Sequence, residues 1–383
     1  MLQLRPTLLR PIAHAVVALA LASLTGCVPV VWLPDSSGFI YVKPTKVAGV
    51  PSGQLMQYDL QKKTSHVIVA DIGAGTQWPA LSSDGQRIAV ARLAGGPKEA
   101  KTVQIALYDL QGKQLHLSKA FTWAQTKKTP EFMLFWSPKN DMVVVSNEDD
   151  TGFYNVKTDS LKIIEKSMPV IHGGTPIRPD GKGVLLLSEA GKVLQLAFMD
   201  WEGKGEIIDA DALVALAPKD KTPGSPLLFT VVSALTWPSW WDGDAALVGY
   251  KRDKATYAID TVKKKIDFTA AFAAQAKVDK KDVQAPIHFD FAGDITIQAI
   301  QFRESPKGPT LRKIIAVNNT TKKEDILLAK GPDMTLFLPS PDGNYLALCL
   351  TSFGPSPELN GGDDRILVIN NKGELVSNLS FER

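Results

Sequence analysis

Two short patterns recur along the 383-residue chain at intervals of about fifty residues. The first is an apolar or aromatic strand end, a turn rich in Pro, Asp and Gly, and a second apolar strand. It reads WLPDSSGFIYV from Trp32, ALSSDGQRIAVARL from Ala80, FWSPKNDMVVVS from Phe135 and PIRPDGKGVLLLS from Pro176. It returns as LTWPSWWDGDAALVGY from Leu235 and FLPSPDGNYLALCL from Phe337, with a degenerate copy, HFDFAGDITIQAIQF, from His288. The second pattern follows each copy of the first. It is an alternating strand that closes on Asp or Asn, a polar turn, and another strand. Its aligned positions are Asp59, Asp109, Asn155, Asp200, Asp260, Asn318 and Asn370.

Alternation of period two predicts half-buried strands. Asp, Asn, Gly and Lys between paired strands are hairpin turn residues. Four short strands repeated at this spacing predict an all-β chain, a single β-propeller of seven four-stranded blades. The blades would start near residues 28, 76, 132, 173, 233, 286 and 333. The segments Ala210 to Pro218 and Ala270 to Val278 break the pattern and read as short helices in the two longest gaps between repeats. No strand exchange between the chain ends is evident. Closure would then rest on side-chain packing between the first and last blades, at a seam open to weakness.

The W-[ST]-PDG-x-x-I-A-[VF] element, with its following strand ending in YDL or the like, resembles the TolB-type propeller repeat, a relative of WD repeats. Trp136-Ser137-Pro138 and Arg178-Pro179-Asp180-Gly181 carry the match best. The resemblance spans the chain from Cys27 onward and implies the propeller fold. Function is a separate matter, because such propellers serve as scaffolds, binding modules and enzyme domains. The protein that names the motif is periplasmic and has an extra N-terminal domain. Here the repeats begin within five residues of Cys27, so no such domain is expected.

The first 26 residues read as a removed signal peptide. Arg5 and Arg10 form a positive start, and Ala13 to Leu24 is an apolar run too short to span a membrane. It ends in Leu24-Thr25-Gly26-Cys27, which resembles the bacterial lipobox. The resemblance implies diacylglyceryl on Cys27, cleavage before it, and a membrane anchor of two or three acyl chains such as palmitate, enough for stable attachment. Val28, rather than Asp, follows the cysteine. By resemblance to lipoprotein sorting in Gram-negative bacteria, this points to the outer membrane, facing the periplasm. The anchor leads almost directly into the innermost strand of the first blade, so one face would lie near the membrane with the PDG turns pointing away.

The chain carries 43 Lys and Arg against 40 Asp and Glu, and two of the cations leave with the signal. A near-neutral mature chain gives no sign of a nucleic-acid partner. With Cys27 lipidated, Cys349 stands alone in the apolar run LALCL and reads as a buried core thiol. The four histidines after the signal (His66, His116, His172 and His288) have no metal-ligand spacing. His172-Gly173-Gly174 lacks the G-x-S-x-G elbow of a hydrolase. Glu148-Asp149-Asp150 and Asp363-Asp364 read as solvated acidic loops. No catalytic, metal or cofactor set emerges. The densest aromatic group, Trp237, Trp240 and Trp241, packs between blades or, if exposed, forms a partner-binding patch. The function expected is a non-enzymatic envelope lipoprotein offering a protein-binding or scaffolding surface to other envelope proteins. An enzyme or ligand sensor acting on a sugar or peptide in a central channel is the alternative.

Overall fold

A computed structural model of the chain describes residues 29–94, 102–123, 132–147, 150–169, 176–177, 181–190, 193–209, 240–242, 245–249, 256–260, 265–269, 287–291, 294–305, 311–332, 334–351 and 364–381. Among these residues there is no helix, and strands form seven antiparallel meanders in chain order. The first sheet shows the rule. Its strands, Val30–Trp32, Gly38–Val47, Val50–Asp59 and Thr64–Val69, pair each with the next. Pairing within this sheet is antiparallel throughout.

The turns explain the repeated residues. In the second, third and seventh sheets a serine hydroxyl donates to the turn carboxylate: Ser82 to Asp84 (2.5 Å), Ser137 to Asp141 (2.8 Å) and Ser340 to Asp342 (2.6 Å). The same oxygen accepts the amide that opens the next strand, at Arg87, Met142 and Tyr345. In the first sheet Asp35 takes the amide and hydroxyl of Ser37 instead. Gly38 then starts its strand against the backbone of Tyr58, where a Cβ would sit 2.0 Å from the carbonyl oxygen. The aligned Asp and Asn residues cap the second hairpin. Asp59, Asp109, Asn155, Asp200, Asn318 and Asn370 each accept amides from the two to four residues that follow.

The degenerate sixth repeat is a full meander: Ile287–Asp290, Ile295–Phe302, Leu311–Asn318 and Glu324–Gly331. Its turn lacks the PDG sequence, but Thr296 donates to Asp290 at 2.5 Å in the same place. The second sheet departs from the pattern at its inner edge. Thr76–Trp78 pairs in parallel with Phe132–Met133 of the third sheet, and Ala80–Leu81 pairs with Ile88–Ala89 of its own. The Thr76 hydroxyl still bridges to the second sheet, donating to the Ala91 carbonyl and accepting the Ala91 amide. A side chain thus replaces one rung of the ladder, which leaves the Thr76 backbone to pair outward.

Burial grades across the first, second, sixth and seventh sheets. Ile88, Ala89, Val90 and Ala91 are fully buried, as are Leu346 to Cys349, because middle strands are covered on both faces. The last strands of the first and sixth sheets are mostly exposed. The chain forms two compact units. One, whose described residues run from 135 to 269, holds the fourth and fifth sheets and most of the third. In it Gly181 abuts Pro138, and the Lys162 ammonium donates to the Gly203 carbonyl (2.7 Å), tying the fourth sheet to the third. The other, residues 25–134 with 277–383, holds the sixth, seventh, first and second sheets. They pack in that order, so the first and last sheets of the chain adjoin, and no strand passes between them. The expected helices at 210–218 and 270–278 lie outside the described residues.

Candidate functional site

Two features carry the functional argument: the edge where the chain enters the first sheet, and the seam between the first and last sheets. At the entry, Val30 is buried and pairs with Tyr41, Val31 with Ile40, and Trp32 with Phe39. The second strand does not stop level with this start. It runs on to Val47, turns at Ala48 and Gly49, and returns, holding register from Val47↔Val50 back to Gly38↔Asp59. Both turn residues have positive φ, 50° and 81°, the two-residue geometry that matches strand twist. An overhanging hairpin therefore stands on the side from which the N-terminus arrives.

Its base is braced. The Ile72 amide donates to the Gly53 carbonyl at 3.0 Å, and a Cβ on Gly53 would meet Val42 at 2.7 Å and Ile72 at 3.3 Å. The Ser52 hydroxyl donates to Asp71 (2.5 Å), which also accepts the Gly73 amide. The Ser52 hydroxyl, the Gly73 amide and the charge of Arg92 together hold the Asp71 carboxyl below its ordinary range. Beyond this brace Lys43, Pro44, Lys46, Val47, Ala48 and Gly49 are exposed.

The seam is made of aromatic rings and hydrogen bonds. The Trp32 indole N–H donates to the Leu338 carbonyl at 2.8 Å, and its ring stacks on Tyr345 with centroids 6.3 Å apart. The buried Tyr58 hydroxyl donates to Ser377 at 2.7 Å. Tyr41 tilts against Phe381. The Asp342 amide donates to the Ser36 hydroxyl at 3.2 Å. Desolvation pushes the Asp342 carboxyl up, but hydrogen bonds from Ser340, Asn344 and Ser36 outweigh it and hold the group at about 2.

Several of the described turn and loop carboxylates are engaged in folding. Asp84 lies below its ordinary range because Ser82 and the Gln86 amide donate to it, and Asp35 because Ser37 does. Carboxylates held ionised in this way are poor proton donors near neutral pH. Asp150 and Asp364, expected in solvated loops, are both buried. Asp150 accepts the Lys166 amide and Asp364 accepts the Thr351 hydroxyl. Each thus closes the base of a loop, a role that its sequence neighbours Glu148, Asp149 and Asp363 conceal. Among the described residues no group of three His, Cys, Asp or Glu side chains is placed to hold a metal ion. Cys349 is fully buried.

Cys27 and Trp237 lie outside the described residues. Trp240 and Trp241 form, with Asp242, the first strand of the fifth sheet, paired to Leu247 and Ala246. Sequence reading missed the overhang and the seam partners. The signal for the overhang was present, as ten residues of strand on either side of a two-residue Ala-Gly turn.

No family model matches the chain. No curated protein matches it either. Solved structures do. A putative 6-phosphogluconolactonase from Bacteroides fragilis is 14% identical at a TM-score of 0.47, over 90% of this chain and 96% of that one. TolB from Acinetobacter baumannii is 13% identical at a TM-score of 0.38, over 89% and 79%. The β-propeller domain of the Trilobed protease from Pyrococcus furiosus is 12% identical at 0.42, over 89% and 91%. Likeness at this level assigns no activity. The chain's own sheets, consecutive antiparallel meanders of four or five strands, make its fold an all-β one of the propeller class.

Proposed function

We propose that the mature chain is a lipid-anchored envelope lipoprotein whose seven sheets close into one propeller, and that this propeller serves as a binding or scaffolding surface for other envelope proteins. The observation that carries the reading is the junction at the N-terminus. The Leu24-Thr25-Gly26-Cys27 motif ends an apolar run, and three residues after Cys27 the chain is already in the strand Val30–Trp32, whose first residue is buried. A lipid there would hold the fold within a few residues of the bilayer. The turn chemistry supports binding over catalysis, because the repeated acids are engaged by backbone amides and serine hydroxyls. Val28 after the cysteine favours the outer membrane, on its periplasmic side.

The anchor is tested by the mass of the N-terminal peptide from protein isolated from native membranes. The reading expects a diacylglyceryl group and an amide-linked acyl chain on Cys27. It also expects Cys27→Ser to release the protein into the soluble fraction. An unmodified Cys27 peptide, or a Cys27→Ser variant still fully in the membrane, contradicts it.

A further inference from the structure

We propose that the overhanging hairpin of the first sheet, Lys43 to Gly53, is a membrane-contacting prong that seats its tip in the headgroup layer of an anionic bilayer. The proposal rests on the lipid anchor at Cys27. Its argument is a comparison of lengths. Val30 lies opposite Tyr41, and Val47 is six residues farther along the same strand. At ~3.4 Å per strand residue the tip stands roughly 20 Å beyond Val30, toward the side from which the N-terminus comes. Cys27 is three residues before Val30, and three residues reach at most ~11 Å. The tether is therefore shorter than the overhang. With the acyl chains in the bilayer and the tether continuing the line of the first strand, the tip meets the membrane surface or the whole sheet tilts until the hairpin lies along it. Both outcomes bring residues 46–49 to the lipid.

The hairpin has the chemistry for that place. From Ser36 to Tyr58 the sequence contains no Asp or Glu, while Lys43 and Lys46 are exposed on the overhang. Val47 is 46% exposed at the tip, an apolar side chain in water where the lipid boundary would cover it. Long lysine side chains keep their ammonium among the headgroups while the stem lies along apolar surface. Cationic residues beside an anionic leaflet gain electrostatically. Among the described residues of the segment that follows the first sheet, the acid is Asp71, which lies behind the tip at the level of Ser52 with Arg92 beside it. The brace of Ile72 on Gly53 keeps the prong from folding back. Two lysines and one valine would bind lipid weakly by themselves. On a chain already tethered the contact is intramolecular, and its effect is to fix orientation. The first sheet would stand with its Asp35 and Asp59 turns away from the bilayer.

The test uses the full lipidated protein in vesicles of phosphatidylcholine and phosphatidylglycerol, with an environment-sensitive fluorophore at Val47→Cys or, as control, at Gln61→Cys in the turn at the opposite end of the same sheet. Cys349 is buried and leaves the new thiol as the labelling site. Nitroxide-bearing lipids should quench the Val47 probe several-fold more than the Gln61 probe, and Lys43→Glu with Lys46→Glu should reduce that difference. Equal quenching of both probes, in protein whose mass shows acylated Cys27, overturns the prong and leaves the anchor standing. Protein that carries no acyl mass overturns the anchor and the prong together.

Discussion

The joint between the first and second sheets and the joint between the seventh and first lie in the same unit, yet they are built from different chemistry. The first is aliphatic. Leu33, Ile40, Val42, Leu55, Ile68, Ile72, Ile88 and Val90 interdigitate with Ala106 and Tyr108. The second is a set of aromatic rings tied by hydrogen bonds, Trp32 to Leu338, Tyr58 to Ser377 and Asp342 to Ser36. The difference follows from connectivity. Consecutive sheets are delivered to each other by a short link, so apolar burial alone suffices to hold them. The first and last sheets are joined by residues some three hundred positions apart. Their closure entropy is larger, and no covalent link fixes their relative height. Directional bonds supply that register. The seam where the chain ends meet is thus held by directional contacts as well as by packing.

The largest effect should fall on the aliphatic joint. Leu55→Ala removes a fully buried side chain and should cost about 2–5 kcal/mol in a denaturant titration, whereas Leu55→Met, which nearly conserves volume, should cost under about 1.5. Next comes Trp32→Phe at the seam. It keeps an aromatic ring but leaves the Leu338 carbonyl without its donor, and should lower stability by about 1–2 kcal/mol. Tyr58→Phe changes almost no volume and should cost about 1 kcal/mol. In a double-mutant cycle with Ser377→Ala a coupling of roughly 0.5–1.5 kcal/mol should appear, whereas Tyr58→Phe and Leu348→Ala, the latter in a cluster that does not include Tyr58, should add. If Tyr58→Phe is neutral, the seam is held by ring burial and the contrast between joints collapses.

The smallest effect is acid sensitivity. The Asp342 carboxyl, held at about 2 in the fold against an ordinary value of 3.8, favours the folded state above pH 4 and loses that contribution as pH falls from about 4 to 2. The group is exposed at the rim of the seam, so solvent screens it and the change is modest. Melting curves at pH 5 and pH 3 should differ less in Asp342→Asn than in the parent protein.

The sequence made the turns readable because their chemistry is local. Ser82 with Asp84, Ser340 with Asp342, and the Asn or Asp caps act over two to five residues, so they leave a pattern at fixed offsets. The sixth repeat was harder, since Thr296 and Asp290 perform the turn with other residue types. What escaped was long-range. Nothing near Tyr58 announces Ser377, and nothing in Thr76-Gln77-Trp78 says that it will leave its sheet for Phe132. Asp150 and Asp364 looked like solvated acids because burial is decided by the strands that meet around them. The resemblance of Leu24-Thr25-Gly26-Cys27 to a lipobox was legible for the opposite reason, because it is a linear pattern that needs no fold.

The account's central claim is that an anchored propeller serves other envelope proteins. The most direct test is affinity isolation of the full lipidated protein from its native envelope after chemical cross-linking, with mass spectrometry of the linked peptides. The account predicts envelope proteins in stoichiometric amounts, cross-linked to loops on one face of the propeller. A protein recovered alone, with no cross-linked partner, would contradict it.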